Sequence, residues 1–113
     1  MIDPVETNPD LYRIVFENDR VRVLSYHDRP GDRTLAHRHP DSVMVTLSAF
    51  RRRVSHDNRS VDLELRAGEV RWLAAQEHLG ENNGDTDTHA IFIELKQAPA
   101  TVPATAQPLG PGA

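Results

Sequence analysis

No cysteine occurs among the 113 residues of the chain. Disulfides, thiolate metal sites and cysteine nucleophiles are therefore excluded, and the lack fits a reducing compartment. Aromatic residues are scarce at 5%, so Val, Leu and Ile must supply most of any core. No run approaches the ~18 apolar residues of a membrane span. Residues 1–9 carry neither a basic nor an apolar stretch and do not read as a signal peptide. Basic charge is also short. Thirteen Lys and Arg face 17 Asp and Glu, a formal net charge of −4, unlike a nucleic-acid-binding surface. The expectation is a cytoplasmic protein with neither membrane nor nucleic acid as partner. The run Arg51, Arg52, Arg53 is a local exception. It reads as a solvated strand with alternating exposed side chains rather than as a binding patch.

A chain of this length supports one domain. Apolar residues recur with period 2, and no segment shows helical periodicity over ten residues. Strands are expected at Tyr12–Glu17 and Val21–Tyr26, joined as a hairpin through Asn18 and Asp19. Thr34–His39 reads as a short extended segment and Val43–Phe50 as one buried strand. Val61–Leu65 alternates, with Val61, Leu63 and Leu65 on one face, and Val70–Leu73 follows. His89–Leu95 is the last strand, with His89, Ile91, Ile93 and Leu95 on the face expected to meet the core. Turn residues separate these runs at Arg29–Asp32, His56–Arg59, Ala67–Glu69 and Asn82–Asp85. Short strands at such spacing mean an all-β sandwich or barrel. Residues 1–10 read as an N-terminal arm and 11–96 as the β domain. Residues 97–113, rich in Pro, Ala, Thr and Gly, read as a disordered tail.

The sharpest local feature is His37-Arg38-His39. On a strand, residues i and i+2 point the same way, with Cα atoms about 6.5–7 Å apart. Two such imidazoles can converge on one ion at about 2.0–2.1 Å. They would equally suit a loop beside Pro40. Imidazole donors suit Fe, Zn, Mn, Ni or Cu, so any cofactor would be a divalent transition metal of unassigned identity.

Gly31 precedes His37 in the pattern Gly-x5-His-x-His, which resembles the first motif of the cupin superfamily. Gly68-x5-Ala74-Ala75-Gln76-Glu77-His78-x3-Asn82 resembles the second. The resemblance covers residues 12–96 and implies a single-domain cupin double-stranded β-barrel, jelly-roll-like. It implies His37, His39 and His78 as metal ligands. The superfamily often adds a Glu ligand after the histidine pair, then a Gly. Here the segment is Pro40-Asp41-Ser42-Val43-Met44, Ala49 stands near the Gly position, and Ala74 replaces a Pro. Asp41 can substitute for the Glu or simply belong to a turn. The stretch from Asn18 through His37-Arg38-His39-Pro40-Asp41 to Lys96 is similar to small cupins labelled beta-alanine degradation proteins. The resemblance also implies a homodimer, through the outer sheet or an exchanged strand at residues 11–17.

Around this triad, His89 is a candidate substrate contact or proton relay, or a structural histidine. Arg71 would clamp a substrate carboxylate if it faced inward; if Trp72 faced inward, Arg71 would lie outside. Glu77 is a candidate general base, and Gln76 a ligand or water holder. His27 and His56 read as solvated. No P-loop, GxGxxG, GxSxG or HExxH occurs. Two functional expectations follow. One is a metal-dependent enzyme on a small polar metabolite, dioxygenase-like or else an isomerase or lyase. The other is a cupin module that binds a small ligand or a metal without turnover.

Overall fold

The computed structural model describes residues 3–96; the expected tail, 97–113, lies outside them. One helical turn opens the fold, α1 (Pro4–Thr7). Nine strands follow among the described residues: β1 (Tyr12–Glu17), β2 (Val21–Asp28), β3 (His37–His39), β4 (Ser42–Thr46), β5 (Phe50–His56), β6 (Arg59–Leu65), β7 (Val70–Leu73), β8 (Gln76–Glu81) and β9 (Thr88–Leu95). They form a five-stranded sheet in the order β1-β2-β9-β4-β7 and a four-stranded sheet in the order β3-β8-β5-β6. Every strand pairing is antiparallel. The expected all-β architecture is present as two facing sheets rather than a closed ring of strands.

Local chemistry explains the corners. Gly31 and Gly68 have φ values of +90° and +83°, a region that side chains with a Cβ enter only with strain. Each glycine turns the chain just before the segment that carries motif histidines. Asp57, at φ +53°, closes the β5–β6 hairpin, a conformation that Asp tolerates better than most residues.

Two expectations about strands need correction. Val43–Phe50 is not one strand, because β4 ends at Thr46 and β5 begins at Phe50 in the other sheet. Leu47–Ala49 carries the chain between sheets, and Leu47 N–H donates to the His89 carbonyl at 2.8 Å. The inward face of β9 is also the reverse of the one expected. Thr88, Ala90, Phe92 and Glu94 are buried, whereas His89, Ile91 and Ile93 are only half-buried and Leu95 is exposed. Period 2 was right, but both faces of this central strand carry apolar residues, so pattern alone did not choose the phase.

The outer face of the larger sheet explains that ambiguity. Phe16, Val23, Ile93, Val43 and Trp72 align across all five strands in one register row. Inside, Tyr12, Leu24, Tyr26, Ala90 and Phe92 form the core cluster, with Met44 and Leu73 packed against it. Tyr12 and Tyr26 rings lie 4.6 Å apart and tilted by 55°, a geometry worth about 0.5–1.5 kcal/mol beyond area burial. The few aromatic residues are therefore concentrated: Tyr12, Tyr26, Phe50 and Phe92 all line the space between the sheets.

Candidate metal centre

The short strand β3 holds His37 and His39 on one face, both essentially inaccessible to solvent at 1% and 0% exposure. Its partner β8 sets His78 directly opposite His37 and Gln76 opposite His39. Three imidazoles thus meet between two neighbouring strands, with ring centroids 4.9–5.2 Å apart. One donor nitrogen from each lies within 4.8 Å of the others.

The hydrogen bonds fix which nitrogens face inward. His37 Nδ1 lies 2.8 Å from the Leu35 carbonyl. His39 Nδ1 lies 3.0 Å from Glu94 Oε2. His78 Nδ1 lies 2.8 Å from Gln76 Oε1, while Gln76 Nε2 donates to the Ala74 carbonyl at 3.0 Å and so fixes the amide orientation. All three partners are acceptors, so each Nδ1 must carry the proton and donate. Each Nε2 is left with a lone pair, the form in which histidine binds a metal.

Burial favours the same state. It pushes the His37 imidazolium down to about 4 and that of His78 to about 3, with the neighbouring histidines adding to the effect. Both rings are neutral near pH 7. Three imidazoles with ordered outer partners, two of them held neutral by burial, fit a divalent transition metal, and the donor set alone does not choose among Fe, Zn, Mn, Ni and Cu.

The outer partners reach the start of the chain. Glu94 Oε1 accepts from Arg22 Nε and Nη2, each at 2.8 Å. Arg22 Nη1 pairs with Asp3 at 2.9 Å, and Asp3 also caps α1 by accepting from Val5 N–H. Buried Asn8 accepts from Leu35 N–H at 2.7 Å, steadying the carbonyl that holds His37. The N-terminal arm is therefore packed against the site's support.

Beside the triad lies a cavity of about 90 Å³ with walls from Met44, Phe50, Leu63, Leu65, Leu73 and Phe92. Arg52 enters it from β5. The alternation expected for residues 51–53 is present, with its buried member turned into the site. Arg51 and Arg53 are exposed, but Arg52 is buried and paired with Asp28 at 2.7 Å. Arg52 also donates to Thr88 at 3.1 Å and to Tyr26 Oη at 3.2 Å. Asp28 accepts from Asn82 Nδ2 at 2.9 Å, which gives the second motif's Asn its role. Buried charge persists only when paired and bonded in this way.

His78 is the half-buried member of the triad. It also borders a shallow hollow with His56, Arg59 and Gln76, on the side of the β5–β6 hairpin. Two larger surface hollows, around Asp10 and Arg33 and around Arg38 and Lys96, contain none of the three histidines.

The other expected site residues are placed differently. Gln76 is at the site, as the orienting partner of His78. Glu77 is exposed and, by the strand pleat, faces away from His78. His89 sits on the outer sheet face, stacked on His27 with centroids 5.1 Å apart, not at a cavity mouth. Arg71 aligns with Met44 on the inward side but stands at the sheet edge, exposed and paired with Glu69 at 2.7 Å. Trp72 is 59% exposed, so neither of those alternatives fills the interior. Asp41 Oδ1 accepts from Ala75 N–H at 2.8 Å, which makes it a loop tie. Sequence reasoning missed Tyr12, Arg52, Asp28 and Glu94, which all lie on inward faces.

No protein-family model matches the chain, and no curated protein matches it. Solved structures do. A cupin domain from Bordetella pertussis Tohama I is 28% identical over 77% of this chain and 93% of its own, with a TM-score of 0.72. A protein with a double-stranded β-helix domain from Klebsiella pneumoniae is 20% identical, covering 75% of each chain, at 0.61. A predicted oxalate decarboxylase from Thermotoga maritima is 22% identical over 75% of this chain and 79% of its own, at 0.53. Fold and site define a small double-sheet β protein with three inward-facing histidines. The chain has the fold of the cupin superfamily, as its solved neighbours show.

Proposed function

We propose that the protein is a mononuclear metal enzyme acting on a small polar metabolite, with dioxygenase-like chemistry. The observation that carries this reading is the convergence of three Nε2 lone pairs whose Nδ1 protons are all tied elsewhere. His37, His39 and His78 would hold the ion. A bound ion supplies Lewis acidity and, where redox-active, a route to activate O₂.

The chain's own residues do the rest. Glu94, the Leu35 carbonyl and Gln76 keep the rings aimed. Phe92 stacks on His39 at 5.1 Å and helps exclude water. The cavity, at about 90 Å³, is smaller than the roughly 150 Å³ void that admits benzene. A substrate of a few heavy atoms fits, with its polar end toward the histidines and Tyr12 and its remainder against the apolar walls. The buried Arg52–Asp28 pair fixes Tyr26 at the far side of this space.

Elemental analysis of purified protein, beside a His37→Ala/His39→Ala variant, tests the reading. Near-stoichiometric iron lost in the variant, followed by O₂ uptake with small hydroxy-, thio- or diketo-compounds, is the expected result. Stoichiometric zinc, manganese or nickel without O₂ uptake would replace the dioxygenase with isomerase or lyase chemistry. Failure of either protein to hold metal, even after reloading, would overturn the metal reading and leave a ligand-binding cupin module.

A further inference from the structure

Tyr12 comes from β1, on the sheet opposite the histidines, yet its hydroxyl reaches them. Tyr12 Oη lies 3.2 Å from His37 Nε2 and 3.4 Å from His39 Nε2. These are the two atoms that the Nδ1 bonds turn toward the meeting point of the triad. Donor atoms around a tetrahedral ion at about 2.0–2.1 Å stand about 3.3–3.4 Å apart. The hydroxyl therefore stands from both nitrogens at the separation that neighbouring ligands of one ion would have. Only one phenolic hydrogen is present, so the two Nε2 acceptors cannot both be fully satisfied by Tyr12.

Among the described residues, no carboxylate stands at this position. Asp41 is committed to Ala75 N–H. Glu94 engages His39 from the Nδ1 side, away from the meeting point. Tyr12 is 4% exposed and held between Tyr26 and Phe92, so its ring has no room for large excursions.

We infer that Tyr12 is the fourth protein ligand of the metal centre, binding as phenolate through Oη. This rests on the metal reading above. On binding, the O–H bond breaks, an O–metal bond forms and the proton leaves to solvent; no electron changes hands. The centre is then His₃Tyr, with an anionic ligand where the superfamily's Glu is missing.

The test uses the full chain loaded with ferric iron and, separately, with zinc, each at measured stoichiometry. Ferric protein should show a visible phenolate-to-iron charge-transfer band, and zinc protein the near-ultraviolet difference spectrum of ionised tyrosine. Tyr12→Phe should lose both. Tyr26→Phe should keep both, and the chain has no third tyrosine. The wild-type and Tyr26→Phe spectra together decide the matter even if Tyr12→Phe folds poorly. Bound metal with neither signal, or signals that survive Tyr12→Phe, overturn the Tyr12 ligand and leave the three-histidine site standing. A protein that takes neither ion overturns both.

Discussion

Glu94 Oε2 and His39 Nδ1 lie 3.0 Å apart at the centre of the fold, 55 residues apart in sequence, with both side chains almost fully buried. This bond fixes the ring's tautomer and its rotation at once. Glu94→Gln keeps the volume but replaces a carboxylate acceptor with an amide and removes the charge that holds Arg22. Loss of such an outer partner typically costs about 10–100-fold in metal affinity. Competition with a zinc chelator should show that loss; unchanged affinity would mean that His39 is aimed by packing alone.

Asp3 ties the same assembly to the chain start. Asp3→Ala removes both the cap on α1 and the partner of Arg22. A lost cap alone costs about 0.5–2 kcal/mol. Hydrogen exchange should quicken at residues 5–8 while β9 stays protected. Unchanged protection at those residues would show that the cap contributes nothing.

The buried Arg52–Asp28 pair gives a sharper stability test. Arg52→Met leaves Asp28 buried without its partner, an arrangement that costs about 3–5 kcal/mol. Arg52→Met/Asp28→Asn should recover part of the loss in urea unfolding. Equal instability of the single and double variants would assign the cost to packing instead.

Arg52 explains why β8 carries a glycine at position 80 beside the cavity. An added Cβ would collide with Arg52 Nη2, and Arg52 is pinned by Asp28, Thr88 and Tyr26, so it cannot yield freely. Gly80→Ala should destabilise the protein by about 1–3 kcal/mol, as overpacking does. In an Arg52→Met background that penalty should shrink, and its persistence would locate the clash elsewhere.

The metal-free protein should lose stability in mild acid. His37 and His78 titrate near 4 and 3 when folded, against an ordinary value of 6.5. Below about 6.5 the unfolded chain takes up protons that the folded chain refuses, so stability falls as pH falls. The contribution is flat above that value. Each group adds a slope of up to about 1.4 kcal/mol per pH unit until its folded value is reached. Urea midpoints should drop between about pH 7.5 and about pH 5, and His78→Gln should flatten the decline. A wild-type midpoint independent of pH would contradict neutral buried rings.

Much of this was legible in the residues. The His37-x-His39 spacing implies a shared strand face, and Gly31 and Gly68 mark turns that need positive φ. The superfamily resemblance supplied His78. What stayed hidden depended on strand phase and sheet assignment. Ile91 and Ile93 pattern as well as Ala90 and Phe92, so the pattern does not show that the face carrying Glu94 is the buried one. Arg52 sat within a run of like charges, and nothing local distinguishes the middle arginine. Tyr12 meets His37 only through packing across the two sheets, which no sequence period encodes.

Three acceptors hold the Nδ1 protons away from the centre, and burial keeps His37 and His78 neutral far below the usual histidine range. Acid competes with a metal by protonating its free ligands. For these two rings that competition begins only near pH 4, whereas an ordinary surface histidine loses its lone pair about two units higher. Between those limits, the two rings take in an ion with no proton to discharge. Their share of the binding heat should then be the same in every buffer.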